Sequence, residues 1–294
     1  MNNVVIGTGL SGLVGSSFVS LYKDKFQFEN LDLSTGIDIT SKSSVEKALS
    51  ESDGEVVVHF AAFTNVSAAH EQTNDTTASC YQVNVIGTKN IAEACTKHNK
   101  YLIHISTDFI FDGTKEEAYD EEDRPNPIEW YGNTKYLAEK KVEQSGCDYS
   151  ILRLAYPYTS YHPERVDRIR DIINKLKDGS MYPPFADHFI TPTLIDDIAN
   201  VISIVIKTKP ENQIYHLVGS SSHSDYEITK LVQEVFNISG EIEKGSLDKY
   251  LALNPRPYQK NMKISNKKLI KELKYTPKTL KEGLEIIKSQ MEKL

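Results

Sequence analysis

The stretch "NVVIGTGLSGLVG" (3–15) joins a β-branched run to a turn that carries Gly7, Gly9, Gly12 and Gly15. The run predicts a buried strand, and the turn has both the G-x-G-x-x-G and the G-x-x-G-x-x-G spacing. Glycine permits a tight turn and lets the backbone approach a pyrophosphate, to which the following helix offers unpaired N–H groups. Glycines alone are a weak signal, but here a strand precedes them and a helix follows. The stretch therefore predicts the first βα unit of a dinucleotide-binding fold.

The first half of the chain repeats this alternation of apolar runs and helical patterns. Further strands are predicted at 56–63, 100–107 and 149–155, and the amphipathic stretch 84–99 predicts a helix between two of them. Strands separated by helices of this length require parallel crossovers. We therefore expect an α/β protein with a Rossmann-type, doubly wound parallel sheet.

The composition and the hydrophobic pattern of the sequence change after Ala155. Residues 156–190 are rich in Tyr and Pro and lose the regular alternation, which resumes near residue 191. We therefore expect a dinucleotide-binding domain formed by 1–155 and about 191–220. A smaller, mixed α/β C-terminal domain, formed by about 156–190 and 221–294, is expected to bind the substrate.

Composition excludes several classes of function. The 39% hydrophobic and 26% charged residues are typical of a soluble globular protein, and a net charge of −7 argues against nucleic acid as a partner. No apolar run is long enough to span a bilayer, and no secretory signal is visible, so we expect a cytoplasmic location. The three cysteines lack metal-ligand spacing, which indicates reduced thiols and no metal site.

An acidic residue follows the predicted second strand in "NLDLSTGIDIT" (30–40). Asp32 stands about 20 residues after Gly9, where a carboxylate accepts hydrogen bonds from the adenosine ribose and repels a 2′-phosphate. No Arg stands beside it, so the residues favour NADH over NADPH. A solvated turn aspartate is the alternative. Asp38 and Ile39 follow at a spacing suited to the edge of an adenine.

Polar segments follow the predicted strands: "AAFTN" (61–65) and "STDFIFDG" (106–113), with "EWYGNTK" (129–135) just beyond. Ligands of doubly wound sheets bind at the carboxyl ends of the strands. Tyr131 and Lys135 lie one turn apart on one face of a predicted helix. Alone, this spacing also occurs on ordinary helix surfaces. Its position beside the strand ends favours a catalytic pair.

This pair suggests a carbonyl reduction. The Lys135 ammonium, the helix N-terminus and the positive ring of an oxidised cofactor would together favour the ionised phenol of Tyr131. Lowering a tyrosine pKa from about 10 to near 7 requires roughly 4 kcal/mol. Tyr131 would protonate a carbonyl oxygen as hydride reaches its carbon, and Thr107 would fix that oxygen. Thr107 could equally be a routine hydroxyl at the end of a strand.

Several motifs together resemble the dTDP-4-dehydrorhamnose reductase family of extended short-chain dehydrogenases/reductases. They are "TGLSGLVG", "AAFTNV", "HISTDFIFDG", "YGNTK", "ILRLAYPY", "TPTLIDDIA", "YHLVG" and "RPYQKNMKIS". The resemblance implies reduction of a nucleotide-linked 4-keto-6-deoxy sugar by NAD(P)H, with dTDP-4-dehydrorhamnose as the default substrate. Phe109 stands where the family usually has Tyr, and Tyr156 where Trp is common.

The resemblance also implies roles for individual residues. Thr107, Tyr131 and Lys135 would be catalytic. The dinucleotide would contact Gly9, Gly12, Leu13, Val14, Asp32, Asp38, Ile39, Ala61, Ala62, Phe63, Thr64, Tyr131 and Lys135. The sugar nucleotide would contact Thr107, Asp108, Tyr156 and Arg256. The guanidinium of Arg256 suits a diphosphate, although an Arg between two prolines is also typical of a surface loop.

Other functions in the same superfamily stay open. Related dehydratases carry an Asp-Glu pair after the Thr, whereas Thr107 is followed by Asp108 and Phe109, so that base is missing. A bifunctional epimerase/reductase is one alternative. A second is a non-catalytic NAD(P)-binding subunit resembling the regulatory subunit of methionine adenosyltransferase. The resemblance also allows a homodimer and Mg²⁺, but no carboxylate cluster in the sequence indicates a metal.

Overall fold

A computed structural model describes residues 3–293 of the chain. Its strands are β1 (Val4–Thr8), β2 (Gln27–Asn30), β3 (Val56–His59), β4 (Tyr101–Thr107), β5 (Tyr149–Leu154), β6 (Pro157–Tyr158), β7 (Phe189–Ile190), β8 (Thr193–Leu194), β9 (Gln213–Leu217) and β10 (His223–Ser224). Its α-helices are α1 (Leu13–Tyr22), α2 (Lys42–Glu51), α3 (Val66–Glu71), α4 (Ser79–Tyr81), α5 (Thr88–Lys97), α6 (Trp130–Glu143), α7 (Arg168–Asp178), α8 (Ile195–Thr208), α9 (Asp225–Phe236), α10 (Leu247–Leu253), α11 (Lys267–Leu273) and α12 (Leu280–Met291). A π-helical stretch, Gln82–Gly87, precedes α5, and short 3-10 helices occur at Leu33–Thr35 and Asp108–Ile110.

A six-stranded sheet has the order β2-β1-β3-β4-β5-β9. β1 pairs parallel with β2 on one side and with β3 on the other, and β3 pairs parallel with β4. The chain therefore changes direction across the sheet at the β1/β3 boundary, which is where such folds bind ligands. All four residues of β3 are buried, as expected for a strand covered on both faces. The predicted Rossmann-type α/β sheet is confirmed.

The third strand is shorter than predicted. The apolar run 56–63 predicted one continuous strand, but β3 ends at His59. The last ladder bond beyond it runs from Phe60 N to Thr8 O at 3.0 Å, and the chain then leaves the sheet. Asn65 caps helix α3 by accepting a hydrogen bond from Ala68 N at 3.0 Å. The segment between them is therefore a loop at the carboxyl edge of the sheet.

The chain divides into two compact units. The first runs to Ile110 and also contains Pro125–Arg153 and Ala199–Tyr215. The second contains Phe111–Arg124, Leu154–Ile198 and the residues from His216 onward. The sequence-based division kept 111–124 with the first domain and ended the second segment of that domain near residue 220. The binding role of each domain stays a prediction.

The second unit has small sheets and several helices. β6 pairs parallel with β8, and β10 pairs antiparallel with β7. Asp167 caps α7 by accepting hydrogen bonds from Ile169 N at 3.0 Å and Arg170 N at 3.1 Å.

Within residues 3–293, no helix is long and apolar enough to cross a membrane. Cys80, Cys95 and Cys147 are buried, free thiols.

Candidate active site

The glycine turn after β1 has a conformation that only glycines fit. Gly9 has a φ of +70°, and a Cβ there would lie 2.6 Å from Ala61 N in the loop after β3. A Cβ on Gly15 would collide with the carbonyl oxygen of Gly9. Gly12 is the N-cap of α1 and provides no side-chain cap to its first turn. The turn is thus packed against the next loop, with a helix N-terminus that suits an anion.

Asp32 closes the glycine turn from the second strand. Its carboxylate accepts hydrogen bonds from Gly9 N and, at 3.2 Å, from Ser11 N. The residue is largely buried and precedes the 3-10 helix Leu33–Thr35 as its N-cap, where its backbone N–H donates to Thr35 Oγ1 at 3.1 Å. A surface turn aspartate would make no such contacts. Asp32 is therefore not a solvated turn aspartate, because its carboxylate holds the glycine turn. The hydrogen bond from a ribose hydroxyl to this carboxylate stays a prediction.

The other predicted adenosine contacts differ in accessibility. Leu13 and Val14 begin α1 and are partly exposed, and Asp38 is exposed, with its carboxylate accepting hydrogen bonds from Thr40 N and Oγ1, both at 2.8 Å. Ile39 is different, because its side chain is buried in the core beneath the sheet. This burial disfavours a direct contact between the Ile39 side chain and a ligand. The spacing of the sequence does not indicate the burial.

Residues 61–64, which are Ala61, Ala62, Phe63 and Thr64, form the loop after β3 and stay partly or fully exposed. Asn84 holds this loop. Its Oδ1 accepts a hydrogen bond from Phe63 N at 2.8 Å, and its Nδ2 donates to Phe63 O at 3.2 Å. Asn84 Nδ2 also donates to Thr134 Oγ1 at 3.0 Å on helix α6. Sequence reasoning missed Asn84, which lies in the π-helical stretch, a feature that is frequent at functional sites.

Thr107 and Tyr131 meet at the carboxyl end of β4. Thr107 is the last residue of the strand, and Tyr131 is the second residue of α6. The Thr107 hydroxyl lies close enough to the Tyr131 phenol to lower its pKa. Gly132 permits this approach, because a Cβ there would collide with the carbonyl oxygen of Phe109. The Phe109 and Tyr131 rings pack edge-on with centroids 5.6 Å apart.

Lys135 lies one turn further along α6 and is buried. Its ammonium donates a hydrogen bond to Ile105 O at 2.7 Å. Burial lowers the pKa of Lys135 to about 8, and the nearby carboxylate of Glu139 opposes that change. The structure therefore brings Thr107, Tyr131 and Lys135 together at one strand end, as the sequence predicted.

The surroundings of Tyr131 in the chain itself favour a protonated phenol. Burial raises the pKa of Tyr131 above its usual range, and among the main causes only the interaction with Thr107 lowers it. The cost of desolvating the phenolate therefore dominates in the chain itself. A lower pKa under the combined influence of Lys135, the helix N-terminus and an oxidised dinucleotide stays a prediction. A protonated phenol is the form that a proton donor needs.

A buried ion pair supports this strand end from the same face of α6, one turn beyond Lys135. Glu139 accepts hydrogen bonds from Arg153 Nε at 3.0 Å and Nη2 at 2.8 Å, and also from Ser106 Oγ. Sequence reasoning missed both partners. The only signal is their type, since charged residues at apolar positions of a predicted core helix and strand are rarely buried unless paired.

The remaining predicted substrate residues lie in the second unit. Tyr156 has a left-handed backbone (φ +42°), which is rare for a bulky residue outside functional sites. Its ring lies 5.7 Å from Arg168 Cζ, and Arg168 pairs with Asp225 at 2.6 Å. The Arg256 side chain is exposed, with Cζ 4.9 Å from the Tyr258 ring. Arg168 was not predicted from the sequence.

No described residues form a metal centre. Over residues 3–293, no group of three or more His, Cys, Asp or Glu side chains is arranged to hold a metal ion. The Mg²⁺ that the resemblance allows stays a prediction.

Comparison with known proteins identifies the family. Residues 2–292 match the family model described as the RmlD substrate binding domain. The chain belongs to this family. A dTDP-4-dehydrorhamnose reductase of Aggregatibacter actinomycetemcomitans is 30% identical over 75% of this chain and 74% of its own length.

Two further family relatives bear on function. The structure of dTDP-4-dehydrorhamnose reductase from Bacillus anthracis in complex with NADP has a TM-score of 0.88 and 27% identity, covering 99% of this chain and 100% of that chain. The beta subunit of methionine adenosyltransferase 2 from Xenopus tropicalis is 23% identical over 88% of this chain and 79% of its own length. The chain is therefore similar to proteins of both kinds that the motifs indicated.

Proposed function

We propose that the chain is an NAD(P)H-dependent reductase of a nucleotide-linked 4-keto-6-deoxy sugar. The proposed reaction is the conversion of dTDP-4-dehydrorhamnose to dTDP-rhamnose. The observation that carries the proposal is the convergence of the Thr107 and Tyr131 hydroxyls at the end of β4, with the buried Lys135 one turn away. Two hydroxyls that converge at a strand end suit a carbonyl oxygen that becomes an alcohol.

The cofactor is proposed to be a nicotinamide dinucleotide. The chain fits such a group because Gly9 and Gly15 leave no room for a Cβ and the first turn of α1 lacks a side-chain cap. The relative from Bacillus anthracis is in complex with NADP. The carboxylate of Asp32 disfavours a 2′-phosphate, so we propose NADH as the preferred reductant.

Each catalytic residue has a distinct task in the proposed reaction. When bound, the reduced dinucleotide supplies the hydride. Tyr131 donates the proton, and burial keeps its phenol protonated for this purpose. Thr107 donates a hydrogen bond that holds the reacting oxygen. Lys135 adds positive charge beside that oxygen, and its ammonium is proposed to bind the nicotinamide ribose.

The substrate contacts are proposed residue by residue. Thr107 and Asp108 would contact the sugar, and the strained backbone of Tyr156 marks it as a second sugar contact. Arg256 is exposed and suits a diphosphate. A cytoplasmic location, a homodimer and a bifunctional epimerase/reductase stay predictions.

The second candidate is a non-catalytic regulatory subunit, which the similarity to the methionine adenosyltransferase beta subunit favours. The two candidates differ in turnover. Purified protein is incubated with NADH or NADPH and dTDP-4-dehydrorhamnose, and cofactor oxidation is followed by absorbance. The reductase is supported by turnover that Tyr131→Phe lowers by about 10²–10⁴-fold while dinucleotide binding persists.

Tyr136→Phe, on the same helix, is the matched control and should keep the wild-type rate. Turnover that is unaffected by Tyr131→Phe would exclude this residue as the proton donor. If no candidate sugar nucleotide is reduced although the dinucleotide binds, the regulatory role is favoured.

A further inference from the structure

Asp108 carries a buried carboxyl group whose second oxygen has no partner. The residue is only 2% exposed. Its Oδ1 lies 3.1 Å from Thr107 Oγ1, and its Oδ2 is buried without a hydrogen-bond partner among the described residues. An ionised carboxylate in such a place is costly, because burial removes water and one hydroxyl cannot replace it.

The hydroxyl of Thr107 has a single hydrogen, which an ionised Asp108 and a substrate oxygen would both need. A hydroxyl has one hydrogen to donate, and it can accept through its lone pairs. Phe109 N already donates to Thr107 Oγ1 at 3.3 Å, so that contact uses a lone pair. If Asp108 is ionised, it can only accept, and it takes the single hydrogen of Thr107. Thr107 then has no hydrogen left for a substrate oxygen.

We infer that Asp108 acts as a neutral carboxylic acid that donates to Thr107 Oγ1 and so directs the hydrogen of Thr107 to the substrate oxygen. This inference rests on the proposed reductase function. The heavy-atom distance fits either direction of the bond, because hydrogen positions follow from the network. Asp108 is thus a positioning residue for the proton-donating pair. No proton leaves Asp108 in the reaction, since Tyr131 supplies the one that reaches the substrate.

The surroundings of Asp108 favour the neutral form. Burial is the main cause that raises the pKa of Asp108 to about 7, and the charge of Glu129, the N-cap residue of α6, adds to it. The hydrogen bond from Thr107 and the backbone N–H groups of Asp108 and Phe109 lower this pKa without outweighing burial. Other titratable groups near this strand end include Tyr131, Cys80, Lys135 and, one turn beyond Lys135, Glu139. Carboxylic acids kept neutral so that they can donate occur in other active sites.

The sign of the pH dependence follows from this assignment. Below the pKa of Asp108 the acid donates, and Thr107 is free to hold the substrate oxygen. Above it the carboxylate captures the hydrogen of Thr107, and kcat falls. Asp108→Asn keeps the shape and provides a permanent N–H donor. Its kcat should therefore no longer fall near pH 7, and the remaining alkaline loss should move towards the Lys135 pKa of about 8.

Glu129→Gln is a second variant, which distinguishes the titration of Asp108 from a loss of activity caused by misfolding. Removing the charge of Glu129 should shift the alkaline midpoint of kcat to lower pH in the wild-type background. The same change should have no effect on the midpoint in the Asp108→Asn background, since the responding carboxyl is gone. A purely structural role for Asp108 would lower kcat at every pH and would not make the two variants interact.

Infrared difference spectroscopy tests the protonation without turnover. Wild type minus Asp108→Asn should show a carboxylic-acid C=O band well below pH 7 that disappears well above it. The inference is overturned if that band is absent at the lower pH, or if Asp108→Asn keeps the wild-type pH profile of kcat. If the band titrates but no sugar nucleotide is reduced, the neutral acid stands and the proposed function fails.

Discussion

Glu139 and Arg153 form a buried ion pair one helical turn after Lys135, with Glu139 Oε2 and Arg153 Nη2 2.8 Å apart. Their side chains are 1% and 4% exposed, so neither charge can be compensated by water if the other is removed. The pair links α6 to β5, and the Ser106 hydroxyl links it to β4. It therefore fixes the helix that carries Tyr131 and Lys135 against the sheet.

Glu139→Gln is expected to lower the free energy of unfolding by about 3–5 kcal/mol, because it leaves the guanidinium of Arg153 buried without a counter-charge. Urea unfolding measures this change. Glu143→Gln breaks the exposed Lys140–Glu143 pair on the same helix and should cost less than about 1 kcal/mol. Glu139→Gln should also lower the pKa of Lys135, moving the alkaline loss of kcat to lower pH. Equal stability losses in the two variants would contradict the assignment.

Gly9→Ala is expected to abolish dinucleotide binding as well as to destabilise the chain. The matched control is Gly179→Ala, because Gly179 has a similar φ of +75° but no atom within 4 Å of a built Cβ. Both changes incur about 1–2 kcal/mol of left-handed backbone strain. Only Gly9→Ala adds a clash with Ala61 N. Titration with NADH, followed by fluorescence, should therefore separate them, and comparable binding by the two variants would argue against this role for the turn.

Asp32→Ser is expected to raise the KM for NADH more than the KM for NADPH, because it removes an acceptor for ribose hydroxyls and a charge that repels a 2′-phosphate. It should also loosen the turn, whose Gly9 and Ser11 N–H groups lose their partner. Steady-state kinetics with both reductants measure the ratio. Asp24→Ser, at an exposed position, should leave the ratio unchanged. An unaltered ratio in Asp32→Ser would remove the basis for preferring NADH.

His59 is expected to make the protein sensitive to acid. Burial, with a smaller effect of the charge of Lys135, lowers the pKa of His59 from 6.5 to about 3. Between these values the unfolded chain binds a proton that the folded chain does not. Stability should therefore fall as the pH falls below 6.5, by about 1.4 kcal/mol per pH unit from this group alone.

His59→Gln should make the dependence of the unfolding free energy on pH shallower by that amount. His70→Gln, at an exposed position, is the control and should leave the slope unchanged. The residual slope in His59→Gln is attributed in part to His104, whose pKa burial also lowers. A wild-type slope that persists in His59→Gln would show that His59 does not titrate in this way.

Patterns within a few consecutive residues were sufficient to predict most strands and helices of the first unit. The run before Gly7 and the glycines after it predicted β1 and its turn, because strand, turn and helix all leave marks within a few residues. The end of the third strand was misjudged. "VVVHFAAF" is apolar throughout, so nothing in the run itself indicates that pairing stops at His59. That end is decided by the ladder with β1 and β4, which involves residues distant in the sequence.

The sequence predicted where the site residues lie, but it did not predict how burial affects their charges. Thr107, Tyr131 and Lys135 were placed correctly because strand ends and helix turns follow from periodicity. The burial that raises the Tyr131 pKa in the chain itself was not foreseen, because it depends on how much water packing removes. Asn84, Glu139 and Arg153 were missed for a related reason, since an amide or a charge reveals its partner only when the chain has folded.

The sequence by itself determined which elements form and which reactive side chains stand at their ends, since both depend on spacing along the chain. The tertiary structure alone decided which polar atoms are buried, and with whom. That difference matters most at Asp108, which the resemblance predicts only as a sugar contact and which the fold turns into a buried carboxyl with one oxygen unpartnered among the described residues. Desolvation is a property of the surroundings, and the surroundings come from residues far apart in the chain.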